Sequence, residues 1–130
     1  MHELNIGGLT VSNDLPLLVI AGPCQLEGTD HAQMIAGKMA EVCAAHGAQF
    51  VFKGSYDKAN RTSLGGKRGL GMDEGLKVMQ SVKDSIGCPV LTDIHAPEHC
   101  ATVAATCDIM QIPAFLSLIH ISEPTRLRRI

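Results

Sequence analysis

What most constrains this chain is an order that repeats: an apolar run, a polar residue where it stops, then a stretch of helical period. "PLLVIAG" (16–22) is continuously apolar, as expected of a strand covered on both faces. Thr29 or Asp30 is placed to cap a helix running to about His46, with Ile35, Met39 and Val42 on one face and Gly47 as its stop. "QFVFK" (49–53) reads as a second strand, and residues 72–86 as a helix with Leu76, Met79, Val82 and Ile86 facing inward. "PVLTDIH" (89–95) is the third strand. Pro97 suits the first turn of a helix to about Thr106, and "DIMQIPAF" (108–115) is the fourth strand. Ahead of them all, "LNIGGLTV" reads as a small hairpin around Gly7 and Gly8.

The resulting order, β-α-β-α-β-α-β, is that of an α/β chain with a parallel sheet and crossover helices. Polar residues recur where the strands end: Cys24 and Glu27, Lys53, Asp93 and His95, Gln111. In parallel α/β folds that end carries the ligand site. A doubly wound nucleotide fold would place a G-x-G-x-x-G or G-x-x-x-x-G-K-[ST] loop after its first strand. Here Gly22-Pro23-Cys24 follows instead, and "GGKRGLG" (65–71) lies far from a strand end, so a piece of a (β/α)8 barrel is the better reading and no nucleotide cofactor is expected.

Length and charge narrow the function classes. The 130 residues allow one modest domain, and 45% apolar with 18% charged residues describes a globular chain. A net charge of −2 argues against nucleic acid as a partner. No apolar run is long enough to span a membrane, and residues 1–20 lack a basic start before an apolar core, so a soluble cytoplasmic protein is expected. The five cysteines (Cys24, Cys43, Cys88, Cys100 and Cys107) contain no C-x-x-C pair; they read as reduced thiols, most of them small core residues.

Four stretches together resemble one family: "AGPCQLE" (21–27), "FKGSYDKANRTS" (52–63), "TDIH" (92–95) and "MQIPAF" (110–115). The family is that of the 3-deoxy-D-manno-octulosonate 8-phosphate (KDO-8-phosphate) synthases of lipopolysaccharide biosynthesis, and the resemblance covers roughly residues 4–116. Its fold implies the N-terminal half of a (β/α)8 TIM barrel preceded by a short β-hairpin. Its reaction implies phosphoenolpyruvate and D-arabinose 5-phosphate as substrates. Lys58-Ala59-Asn60-Arg61 separates it from the 3-deoxy-7-phosphoheptulonate synthases, which use erythrose 4-phosphate and carry a K-P-R-T-S type element.

Two phosphates and a carboxylate bound side by side require several fixed cations. The resemblance assigns Lys53 and Lys58 to phosphoenolpyruvate, and Asn60, Arg61 and Thr62 to the arabinose 5-phosphate side, the arginine reaching a phosphate across a subunit boundary. A homo-oligomer is therefore implied for the full-length enzyme. Arg68 matches an arginine of the family's R-G-x-G stretch, although Gly65 and Gly66 replace the usual His-Ser. Asp93 and Gln111 shape the substrate pocket in that family. His95, by its ordinary pKa, can donate a hydrogen bond or move a proton, or serve structure alone. By itself a lone cysteine after a strand reads as a packed core thiol; the resemblance makes Cys24 a metal ligand. It places the chain with the metal-dependent class, where a thiolate suits Zn²⁺, Fe²⁺ or Mn²⁺. Glu27 is balanced between a helix-start role and a functional one. His2, His31, His46 and His99 read as surface residues.

From Ser117 the resemblance stops. Residues 116–126 resemble a translated transposase-end sequencing adapter, so residues 117–130 are expected to be a non-native tail, with no role for His120, Arg126, Arg128 or Arg129. A barrel needs about 250 residues, so residues 1–116 are expected to be a partial barrel, inactive alone. A non-catalytic half-barrel that binds phosphate or metal is the alternative of a different class.

Overall fold

The computed structural model describes residues 2–58, 69–114 and 116. Asn60, Arg61, Thr62 and Arg68, and all of residues 117–130, lie outside that set. A hairpin opens the chain, with β1 (Leu4–Ile6) antiparallel to β2 (Leu9–Val11) and Leu4 opposite Val11. The strands β3 (Leu18–Ala21), β4 (Gln49–Lys53), β5 (Val90–Asp93) and β6 (Ile109–Gln111) then form one parallel sheet in chain order. Helix α1 (Thr29–Ala45) joins β3 to β4, and α2 (Met72–Ile86) precedes β5. A 3-10 turn (Pro97–His99) followed by α3 (Cys100–Ala104) leads into β6. Sequential parallel strands joined by helices are the opening half of a barrel, as the apolar runs predict.

The core lies between helices and sheet. Phe50, Phe52 and Val90 pack against Leu76, Val78, Met79 and Val82 of α2 and Ala32, Ala36 and Cys43 of α1. The inward stripe read from the sequence of α2 is therefore the buried one, with Ile86 packed at its end. Burying each such large side chain contributes roughly 1.5–3 kcal/mol. Polar bonds set the lower rim of the sheet: the Asp108 Oδ2 accepts the Val90 N–H at 2.9 Å, and the Lys83 ammonium donates to the Thr106 carbonyl at 3.0 Å. The Gln49 side-chain amide ties the hairpin down by donating to the Thr10 carbonyl at 2.9 Å.

Several expectations are corrected. Gly28, with no side-chain cap bond, stands at the N-terminus of α1 in place of Thr29 or Asp30, which are already helical. The first apolar run is not covered on both faces: Ile20 is 44% exposed, because β3 is an edge strand and no layer lies over that side of the sheet among the described residues. The segment after Pro97 is 3-10 before it is α-helical and ends at Ala104, short of Thr106. Cys43 and Cys107 are buried as core thiols, but Cys88 and Cys100 are half-buried. No helix of the described residues is long and apolar enough to cross a membrane.

Candidate active site

Register decides what the strand ends hold. Ala21 stands opposite Phe52, Lys53 opposite Leu91, and Asp93 opposite Gln111. Side chains two apart on a strand share a face, and paired residues of neighbouring strands do too. Lys53, Leu91, Asp93 and Gln111 therefore project from the face opposite the helices, at the carboxyl ends of three adjacent strands. A cleft of about 380 Å³ forms there, lined by Lys53, Lys58, Asp93, His95 and Gln111 with Pro113 and Ala114. Five of the residues picked from the sequence thus meet in one place.

The chain reverses closely to make that arrangement possible. A Cβ on Gly22 would lie 1.7 Å from the Lys53 carbonyl oxygen, so only glycine lets the end of β3 pass β4. The Leu26 N–H then donates to the Ser55 carbonyl at 2.9 Å and pins the two strand-end loops together.

Inside the cleft the groups form a chain of contacts. The Lys58 ammonium donates to Ser55 Oγ at 2.7 Å, and the Ser55 hydroxyl donates to Asp93 Oδ1 at 2.5 Å. The other carboxylate oxygen stands 3.5 Å from His95 Nε2. Ser55 is 2% exposed and Asp93 9%, so this is a buried charge held by a neighbouring cation and a hydroxyl, as buried carboxylates require. Nδ1 of His95 is buried with no hydrogen-bond partner among the described residues. The arrangement offers two lysines for anionic groups, and a carboxylate–imidazole pair that can hold or move a proton.

Sequence reasoning missed Ser55 and Tyr56. Both lie inside "KGSYDK", where attention went to the charges, and a buried serine beside a strand-end carboxylate carries no local signal. Tyr56 is also buried; its hydroxyl meets His99 Nδ1 at 3.0 Å, and its ring packs edge-on against His95. Burial pushes the phenol up to about 12, a hydrogen bond from the His95 backbone opposes the rise, and the charges of Asp93 and Asp57 add to it. His99 is therefore a half-buried, partnered residue and not the surface histidine expected; it faces inward because the 3-10 turn after Pro97 rotates it toward the sheet. His31 is likewise half-buried, near Glu27 at 3.7 Å, while His2 and His46 are exposed as expected.

Cys24 stands apart. It is exposed and lines a second cleft of about 820 Å³ with Pro23, Gln25, Leu26, Glu27, Gly69 and Leu70. Among the described residues no three His, Cys, Asp or Glu side chains come close enough together to hold a metal ion. One thiol does not make a donor set, so the described residues do not fit a metal by themselves and no chemical step is derived through one.

Comparison with known proteins agrees with this geometry. The sequence profile of the DAHP synthetase I family matches residues 4–125. The chain belongs to the DAHP synthetase I family. It is 55% identical over 111 residues to the 2-dehydro-3-deoxyphosphooctonate aldolase of Rhizobium meliloti, a match covering 85% of this chain and 40% of that protein. The aldolase of the same name from Bartonella quintana is 47% identical over 113 residues, covering 87% of this chain and 41% of its own length. That of Rickettsia bellii is 48% identical over 113 residues, with the same 87% and 41%. The chain thus spans about 40% of the length of the curated relatives it matches.

Proposed function

We propose that this chain is the phosphoenolpyruvate-facing part of a family enzyme that condenses phosphoenolpyruvate with D-arabinose 5-phosphate, giving 3-deoxy-D-manno-octulosonate 8-phosphate and phosphate. The observation that carries the reading is the convergence of Lys53, Lys58, Asp93, His95 and Gln111 on one strand-end cleft. The names of its relatives, all phosphooctonate aldolases, support that acceptor over erythrose 4-phosphate. In the reaction, C3 of phosphoenolpyruvate bonds to the aldehyde carbon, whose oxygen gains a proton. Water adds at C2 and loses a proton, and C–O cleavage then releases phosphate and leaves a ketone at C2. Lys53 and Lys58 hold the carboxylate and phosphate and stabilise charge as it develops. Asp93 and His95 are placed to hold or move the proton at the aldehyde oxygen. Asn60, Arg61, Thr62 and Arg68 are assigned to the acceptor's phosphate side by the family resemblance.

Cys24 is proposed as one thiolate donor for a divalent ion (Zn²⁺, Fe²⁺ or Mn²⁺) in the full-length protein, which is proposed to be a homo-oligomer. Metal content of the full-length protein with and without Cys24→Ser tests the first, and sedimentation the second. The chemistry is tested by phosphate release from phosphoenolpyruvate in the full-length protein. Release should require arabinose 5-phosphate, and Lys58→Met should lower kcat/KM by about 100-fold, the scale for losing one charge-stabilising donor. Faster release with erythrose 4-phosphate would transfer the chain to the heptulonate reaction. No release with either sugar would leave the non-catalytic half-barrel.

A further inference from the structure

The Tyr56 hydroxyl joins two segments that are distant in the chain. It meets His99 Nδ1 at 3.0 Å across 43 positions and receives a hydrogen bond from the His95 backbone. A phenol held at about 12 keeps its proton through the neutral range, so it donates to His99 and accepts from the His95 amide. Donation to Nδ1 leaves the His99 proton on Nε2. The ring beneath that hydroxyl packs edge-on against the His95 imidazole, with centroids 5.1 Å apart and planes at 64°.

His95 otherwise has little to orient it. Its Nε2 stands 3.5 Å from Asp93, long for a hydrogen bond, and its Nδ1 has no partner among the described residues. The Tyr56 ring is thus the closest printed constraint on the plane of the one imidazole that lines the cleft. Tyr56 has little room of its own, because a Cβ on Gly75 of α2 would come within 2.4 Å of its Cβ.

We propose that Tyr56 and His99 form a clasp that positions the His95 imidazole in the cleft, with Tyr56 as the positioning residue and His99 as its anchor. For its kinetic part the inference rests on the reaction proposed above; for its structural part it does not. The clasp acts on the histidine and leaves the lysines that hold substrate untouched, so it should move kcat and leave KM for phosphoenolpyruvate nearly alone.

The experiment uses the full-length protein with Tyr56→Phe, His99→Ala, His99→Gln and the Tyr56→Phe/His99→Ala pair. Expected is a roughly fivefold fall in kcat for each of the first two, the scale of one buried hydrogen bond, with KM within about twofold. The pair should be no slower than either single variant, since both remove one contact. His99→Gln, whose side-chain carbonyl still accepts from the phenol, should recover most of the rate. Imidazole nitrogen NMR supplies a readout independent of activity: His99 should carry its proton on Nε2, and Tyr56→Phe should shift the His95 ring signals. Additive losses, a His99→Gln variant as slow as His99→Ala, or unmoved His95 signals in Tyr56→Phe would each overturn the clasp. An inactive unsubstituted protein would sink the proposed reaction, and the NMR result would still decide the clasp.

Discussion

At the scale of single residues, the most consequential group is one without charge. Ser55 both accepts from Lys58 and donates to Asp93, so it links the cleft's cation to its buried carboxylate. Ser55→Ala removes both bonds and leaves one carboxylate oxygen of Asp93 without its hydroxyl donor. Stability should fall by about 1–3 kcal/mol, the cost of an unsatisfied buried polar group, read as a lower unfolding midpoint in urea. An unchanged midpoint would mean that water or Lys58 replaces the hydroxyl at no cost. Lys53, Lys58, Asp93 and His95 were legible because charge at a strand end is a signal in the sequence itself. Ser55 and Tyr56 were not, because their importance lies in partners 38 and 43 positions away.

At the scale of elements, helix α2 is the one that braces the site. Its apolar stripe was readable from a 3.6-residue period, and its bounds at Met72 and Ile86 agree with that reading. Gly75 was not readable as a site feature, since a glycine inside a helix is by local propensity a weakness. Its replacement sets two effects against each other. Alanine should stabilise the isolated helix by roughly 1 kcal/mol. Yet its methyl would stand 2.4 Å from Tyr56 Cβ, a position that no rotation of the tyrosine relieves. Overpacking of this kind costs about 1–3 kcal/mol, so the clash should win. Gly75→Ala is expected to lower the unfolding midpoint and to disturb the Tyr56–His99 contact; a raised midpoint would show that α2 slides freely.

At the scale of the whole molecule, two buried acids set the response to alkali. Burial raises Cys107 from 9.0 to about 12 and Tyr56 from 10.0 to about 12. Each therefore binds its proton more tightly when folded, so unfolding releases protons and stability falls as pH rises. The midpoint should be insensitive to these two groups below about pH 9 and drop between about 9 and 12; Tyr56→Phe with Cys107→Ala should flatten that drop. A slope unchanged in the double variant would place the alkaline loss elsewhere. The sheet's outer strands, β3 and β6, each have one unpaired edge among the described residues, and Leu17 and Ile112 are 74% and 61% exposed. Open edges and bare apolar side chains favour association. The isolated 130-residue chain should sediment as associated species and release no phosphate from phosphoenolpyruvate; a monodisperse, active monomer would refute both.

The sequence by itself determined the order of strands and helices, the carboxyl-end placement of Lys53, Asp93, His95 and Gln111, and the family the chain resembles. These are local facts, written in periods of two and 3.6 residues and in motifs a few residues long. Only the tertiary structure decided that Lys53, Lys58 and Asp93 share one cleft while Cys24 lines another, and that His99 turns inward to hold Tyr56. Those outcomes depend on strand register and on how two loops meet above the sheet. A shift of one residue in β5 would turn Asp93 to the other face without altering any local pattern.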